Sequence, residues 1–260
     1  MCICLPHSRC WEGRWTSSHN AARAAGASLR IDVVKTALAR IVDELGIQGF
    51  EGAQLQIGVH TFSNNFTTVL QPTTNLSSVK SALNSIDLSG DVGEGGTDFY
   101  SVLNSTRSKV GKSKSGLSAS NRKKFIMFVT DGISSNVGYT SDPSNIFAAH
   151  PGYRYYSPFY NGNAAFSMQG FDPAACRQIK DRDVTLFTLN VRYIIPTVGT
   201  DNDPRFSEIG QNLKPDIQQH MQECATSSEH AMWADTPAEI DKALEQFVDT
   251  LTTDVLRIGS

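Results

Sequence analysis

The chain is 260 residues long, with a formal net charge of −3, 40% hydrophobic residues and 19% charged residues. That length suits one large α/β domain and is short for two, and the composition is that of a soluble globular protein rather than a disordered one. The acidic balance gives no electrostatic case for nucleic acid, which normally needs a basic stripe, and no apolar run approaches the roughly 18–20 residues that cross a bilayer.

Residues 1–28 read as an irregular N-terminal stretch, and residues 29–260 as one domain. The opening Met1-Cys2-Ile3-Cys4-Leu5-Pro6 is short and lacks the cationic leader of a signal peptide, so taken literally it predicts a cytoplasmic chain. Cys2, Cys4 and Cys10 crowd this region without a second Cys/His pair nearby, a weak zinc signal. From Leu29 onward Ile31, Val34, Leu38, Ile41, Val42 and Leu45 recur at helical spacing, and Gly46 or Gly49 is expected to stop the helix. Gln54 to Phe62 alternates as a half-buried strand does, Ser63-Asn64-Asn65 is turn chemistry, and Phe66 to Leu70 returns antiparallel. A short helix covers Leu76 to Ile86 after Thr74-Asn75. The glycine-rich stretch 90–96 then leads to a helix opened by Thr97 and running to about Val110.

Lys109, Lys112 and Lys114, with Arg122, Lys123 and Lys124, flank a Gly/Ser-rich connection and read as a solvated loop. Phe125-Ile126-Met127-Phe128-Val129 is then a run of apolar residues ending in Thr130-Asp131-Gly132, the pattern of a strand buried on both faces with a carboxylate at its tip. Residues 133–170 read as the longest irregular region, a loop carrying many Tyr and Phe residues. Such a loop is functional or disordered, and the aromatics argue against disorder. A helix over Pro173–Lys180, a strand over Val184–Val191, a helix near Phe206–Glu223, a short strand His230–Trp233 and a final helix after Thr236-Pro237-Ala238-Glu239 complete the chain. Cys176 and Cys224 either pair in an oxidising compartment or are two separately buried thiols.

Strands alternating with helices, plus one hairpin, predict an α/β fold. Its sheet is doubly wound and mostly parallel, with one antiparallel edge strand and helices on both faces. In such sheets ligands bind at the carboxyl ends of the strands. Three connections belong there: the loop after the first strand, Gly95-Gly96-Thr97-Asp98, and Thr130-Asp131-Gly132. Asp131 reads as a metal-site carboxylate or as a turn or cap residue. The Thr97 hydroxyl suits either a ligand or an N-cap.

Gly-Gly-Thr-Asp ahead of a helix, followed by an apolar strand ending in Thr-Asp-Gly, resembles the von Willebrand factor A (vWA) domain. The resemblance extends from about residue 29 to the end. It implies a metal-ion-dependent adhesion site, usually holding magnesium, built from Asp-x-Ser-x-Ser after the first strand, then a Thr, then the Asp of Thr-Asp-Gly. Thr97 and Asp131 match the second and third limbs. If Cys2–Leu5 is a remnant of the first strand, Pro6-His7-Ser8-Arg9-Cys10 stands where the first limb belongs, and only Ser8 matches it. Without the Asp, magnesium is expected to be held weakly or not at all. Either the site is degenerate, or the natural chain starts upstream of Met1.

Cys176 before the strand ending at Val191, Glu223-Cys224-Ala225 before the last strand, and the long aromatic insertion at 133–170 resemble TadG-type pilus-assembly proteins. That narrower resemblance implies a Cys176–Cys224 disulfide, an N-terminal membrane anchor missing from this chain, and an extracytoplasmic or membrane-associated site of action. The expected function is a non-enzymatic module that binds a protein partner, a pilus or envelope component. It needs no nucleic acid, and meets the membrane only through such an anchor. Two alternatives stand beside it: a metal-free scaffold of the same fold, and a cytoplasmic α/β hydrolase. The second finds little support, since His60, His150 and His220 have no Ser or Cys partner at a recognisable spacing, and Gly111-Lys112-Ser113 lacks the glycines of a phosphate loop.

Overall fold

The computed structural model describes residues 2–6, 23–24, 26, 28–47, 55–63, 65–88, 97–116, 118, 120–139, 157–161, 164–170, 173–192, 210–211 and 214–258. Its strands are β1 (Cys2–Pro6), β2 (Ile57–Phe62), β3 (Phe66–Thr73), β4 (Phe125–Thr130), β5 (Ile133–Tyr139), β6 (Ser157–Asn161), β7 (Ala164–Gly170), β8 (Thr185–Val191) and β9 (Ala231–Ala234). Its helices are α1 (Arg30–Ile47), α2 (Leu76–Ser85), α3 (Phe99–Val110), α4 (Pro173–Lys180), α5 (Lys214–Cys224) and α6 (Pro237–Ile258).

Six strands form the main sheet in the order β3-β2-β1-β4-β8-β9. Every neighbouring pair is parallel except β2 with the edge strand β3. The doubly wound sheet with one antiparallel edge strand is therefore as expected. Alternation along β4 and β8 divides the interior in two. Phe125, Met127 and Val129 of β4, with Phe187, Leu189 and Val191 of β8, face the core covered by α1, α2 and α6. Ile126 and Phe128, with Leu186, face the core covered by α3, α4 and α5. All six residues of β4 are buried, which is why no polar residue interrupts the run before its tip.

Local chemistry explains the helix ends. Asn75 caps α2 by accepting from the Ser78 N–H at 3.0 Å. At α6 the Glu239 carboxylate accepts from the N–H groups of Asp235 and Thr236 (2.7 and 2.9 Å), while the Thr236 hydroxyl accepts from the Glu239 N–H at 3.3 Å. This reciprocal box is what Thr-Pro-Ala-Glu predicts. Gly46 does not end α1, which continues to Ile47, because a single glycine costs only about 1 kcal/mol inside a helix whose apolar face is buried. His230 closes a 3-10 turn and β9 begins one residue later. The described helix of the next-to-last segment starts at Lys214.

The region 133–170 departs from its reading as irregular. Its described residues form a separate antiparallel sheet in the order β5-β7-β6, with Ile133 opposite Gly170 and Phe159 opposite Phe166. Polar and glycine residues dilute the alternation in β5, and the pairing partners lie some thirty residues away, so the backbone ladder leaves little periodic trace. β1 likewise falls within the stretch read as irregular, on the Cys2–Leu5 segment read as a strand remnant. It occupies the middle of the main sheet between β2 and β4.

Two features tie the layers. Arg23 donates to both Asp32 and Asp87, and hydrogen bonding to Arg23 pulls the Asp32 carboxyl below its ordinary range. Cys176 of α4 and Cys224 of α5 form a disulfide, with Cα atoms 5.1 Å apart and both side chains fully buried. Beside it the Lys180 ammonium donates to the carbonyls of Glu223 and Ala225 at 2.7 and 2.9 Å, closing the end of α5.

The bridge spans 48 positions, a loop whose closure removes about 4 kcal/mol of unfolded-state entropy in the chain-entropy model. Replacing both cysteines by alanine is expected to lower the unfolding free energy in urea by about 2–4 kcal/mol, and dithiothreitol should then destabilise only the parent protein. A second expectation concerns His60, buried in β2 against the Phe66 ring at 4.8 Å, with Nδ1 3.2 Å from the Thr68 hydroxyl. Burial, with the Lys109 charge adding to it, lowers its pKa from 6.5 to about 4. The unfolded chain takes up this proton first, so stability is full above the unfolded value and falls as pH drops from 6.5 toward 4. Denaturant melts at neutral and mildly acidic pH should show this loss, and His60→Gln should shrink it.

Candidate functional site

The chain runs from β1 outward to β2 and β3, then returns to the other side of β1 to add β4, β8 and β9. The sheet order thus reverses between β1 and β4, whose carboxyl ends are Pro6 and Thr130. A crevice opens at such a reversal because the loops leaving the two strands diverge to opposite faces.

Aromatic packing holds the next loop over this point. Phe62 at the end of β2, Phe99 at the start of α3 and Phe128 of β4 are each at most 1% exposed. The Phe62 and Phe128 rings stack at 4.9 Å, and the Phe99 ring tilts against both at 5.9 Å. Apolar burial and ring geometry together fix the start of α3 beside the ends of β2 and β4. The Asp98 N–H donates to the Ser63 carbonyl at 3.0 Å, which joins the loop before α3 to the end of β2.

Thr97 and Asp98 then divide their roles. Asp98 caps α3, accepting from the Ser101 N–H at 3.1 Å and from the Ser101 hydroxyl at 2.7 Å. The reading of Thr97 as the cap of this helix is corrected accordingly. The helix starts one residue later than expected, and a carboxylate at the N-cap is favoured by the helix dipole. Thr97 is buried, at 5% exposure, just ahead of the cap.

At the tip of β4 the Thr130 hydroxyl accepts from the Gly132 N–H at 3.1 Å, and Asp131 Oδ1 accepts from the Ile133 N–H at 3.1 Å. These two side-chain-to-backbone bonds shape a tight turn. Gly132 has φ +83°, and a Cβ there would lie 2.4 Å from Ile217 Cγ2 and 3.2 Å from Asn190 Nδ2. Only glycine fits this position, for both its backbone and its surroundings. Asn190 Nδ2 donates to the Thr130 carbonyl at 3.4 Å, steadying the turn from β8.

The structure therefore brings Thr97 and Asp131 to the carboxyl edge around the same strand reversal. Ser8 lies outside the described residues. Hydroxyl and carboxylate oxygens are the donor types a hard cation such as magnesium takes, and they fit that chemistry. An octahedral ion needs more oxygens than these two side chains supply. Among the described residues, no group of three His, Cys, Asp or Glu stands together as a metal cluster. Cys176 and Cys224 are elsewhere, behind the α4/α5 layer.

Asn190 was not singled out in the sequence, and Ser63 and Asp98 entered only as members of a turn and of the Gly-Gly-Thr-Asp motif, yet the three build the frame of this edge. Their signal was the one Thr130 carries: a polar residue closing an apolar strand, or an acid three residues before a Ser at a helix start.

Among curated proteins, none matches this chain in sequence. Solved structures share its fold. Proximal thread matrix protein 1 of the mussel byssus matches with a TM-score of 0.53 and 15% identity, over 95% of this chain and 46% of that one. A structure of that byssus protein has a zinc-occupied metal-ion-dependent adhesion motif. The pilus adhesin SpaC of Lactobacillus rhamnosus GG matches with a TM-score of 0.57 and 17% identity, over 98% of this chain and 30% of that one. The vWF domain of the type V pilus tip protein Mfa5 of Porphyromonas gingivalis matches with a TM-score of 0.58 and 12% identity, over 98% and 95%. The chain thus spans less than half the length of the byssus protein and less than a third of SpaC. The profile of the von Willebrand factor type A domain matches residues 27–246, most of the chain, and the chain belongs to that family.

Proposed function

We propose that this vWA domain is a non-enzymatic protein-binding module that engages its partner at the carboxyl edge of the sheet, in the assembly of a pilus or another surface structure. The observation that carries this reading is the convergence of the Thr97–Asp98 loop and the Thr130-Asp131-Gly132 turn on the β1/β4 reversal, held there by the Phe62–Phe99–Phe128 cluster. Binding residues carried on loops above a rigid scaffold are what recognition at a sheet edge uses. Magnesium, where bound, would be held by Thr97 and Asp131, with Ser8 as the remaining limb, and would offer a vacant position to an acidic side chain of the partner. The resemblance to TadG-type proteins supports a pilus or envelope component as that partner, and the 133–170 insertion as a further contact surface, whose first strand, β5, begins at Ile133 just beyond the Asp131 turn.

The Cys176–Cys224 disulfide supports an extracytoplasmic site of action, since such bonds persist in oxidising compartments. No described helix is long and apolar enough to cross a membrane.

A second reading keeps the same edge without metal. It is favoured by the Asp131 carboxylate already accepting the Ile133 N–H, and by the Asp98 carboxylate being engaged by Ser101. Titration with magnesium or manganese chloride during thermal melting separates the two. Metal-dependent binding predicts a rise in melting temperature, equivalent to about 2.7 kcal/mol when the ion is at a hundredfold excess over its dissociation constant. Asp131→Ala should abolish the rise while circular dichroism shows an intact fold. An unchanged melting curve at millimolar metal assigns the chain to the metal-free reading. Turnover of generic ester or phosphate substrates would overturn the non-enzymatic one.

A further inference from the structure

Beyond the β1/β4 edge, a concave groove of about 460 Å³ opens at the carboxyl ends of β8 and β9. Its volume lies within the range of small-molecule sites. Its floor comes from the strands and one wall from the first turn of α5, where Pro215 and Ile217 supply apolar surface.

The chemistry of the lining is specific. Asn190 and Trp233 are register partners on adjacent parallel strands, so their side chains stand next to each other on the same face of the sheet. Trp233 is half-buried against the α3/α4/α5 core and its remaining surface lines the groove. Asn190 is 8% exposed, a buried amide. Its Nδ2 makes one long bond to the Thr130 carbonyl, and its Oδ1 accepts nothing from the described residues. Lining the groove, this oxygen is placed to accept from a ligand that carries a hydrogen-bond donor. A second amide, Gln218, faces the groove from α5.

Among the described residues, the charges of the lining are balanced. Arg192 is paired with Asp235 at 2.5 Å. The Glu239 carboxylate is taken up by the Asp235 and Thr236 N–H groups at the start of α6, and Lys214 is the remaining cation of the lining. Among the described residues of the lining, two cations and two carboxylates balance. A purely apolar ligand would leave both amides unpaired. What fits is a neutral molecule with one apolar face, to lie on an indole, and a rim of groups that each donate and accept hydrogen bonds, to meet amides and fixed charges. A saccharide ring has both.

We propose that the Asn190–Trp233 groove is a binding site for a neutral saccharide, adjoining the β1/β4 edge through Asn190 and independent of metal. The ring lies against Trp233, a hydroxyl donates to Asn190 Oδ1, and Gln218 and the Arg192–Asp235 pair meet the remaining hydroxyls.

The test is NMR of the ¹⁵N-labelled full chain in the presence of EDTA, which removes any contribution from a metal-dependent edge. Glucose, galactose, mannose and N-acetylglucosamine are titrated separately to millimolar concentration, with a short acidic peptide as comparator. Saturable shifts of the Asn190 side-chain amide and the Trp233 indole N–H with at least one sugar are expected. Asn190→Ala and Trp233→Ala should each weaken that binding by about tenfold or more. Where Trp233→Ala disturbs the fold, Trp233→Phe and the exposed Gln218→Ala carry the same comparison. The proposal is overturned if no sugar moves these signals, if the shifts map elsewhere, or if only the acidic peptide produces them.

Discussion

Everything else in this domain depends on burying β4 on both faces. A parallel strand with no solvent face must present apolar residues to two separate cores, and Phe125 to Val129 do so in strict alternation. Met127 and Val129 belong to the core shared with α1, α2 and α6, whereas Ile126 and Phe128 belong to the core shared with α3, α4 and α5. Polar atoms are admitted only where the strand ends, at Thr130, whose hydroxyl is already engaged by the turn that follows. The same constraint that stabilises the sheet therefore concentrates hydrogen-bonding chemistry at its carboxyl edge.

That edge is stiff because its supports are apolar and its polar bonds are local. The Phe62–Phe99–Phe128 cluster sets the position of α3, and the Asp98–Ser101 cap sets where that helix begins. The Asp131 turn is confined from outside by Ile217 and Asn190, which leave no space for a Cβ at residue 132. On the far side of β8 the same α5 helix walls the Asn190–Trp233 groove, and its other end is bonded to α4 through Cys176–Cys224. One helix thus serves the turn, the groove and the disulfide. The wide separation of these features along the chain is bridged by a single packing layer.

Several of these elements were legible in the residues alone. The run into Thr130-Asp131-Gly132, the helical repeat from Ile31 to Leu45 and the Thr236–Glu239 box each carry their own local cause, so periodicity and capping chemistry sufficed to read them. The Thr97 cap was misplaced by one residue because Thr and Asp are both good N-caps. Only the packing of Phe99 decides which of them stands at the helix mouth. The 133–170 region concealed its strands because antiparallel pairing is satisfied by backbone groups that any side chain brings along.

By itself the sequence determined the layer architecture and which strand ends form the polar carboxyl edge, because burial on both faces leaves a run of apolar residues that no loop or amphipathic element reproduces. It also carried the motifs that mark the family. The tertiary structure alone decided which polar residues meet. Asn190 comes beside Trp233 through strand register, Asp98 comes to Ser63 through the approach of α3, and Gly132 is required by a side chain from α5. These contacts join positions tens of residues apart, and hydrogen bonds and van der Waals contacts act over a few ångströms of space, irrespective of distance along the chain.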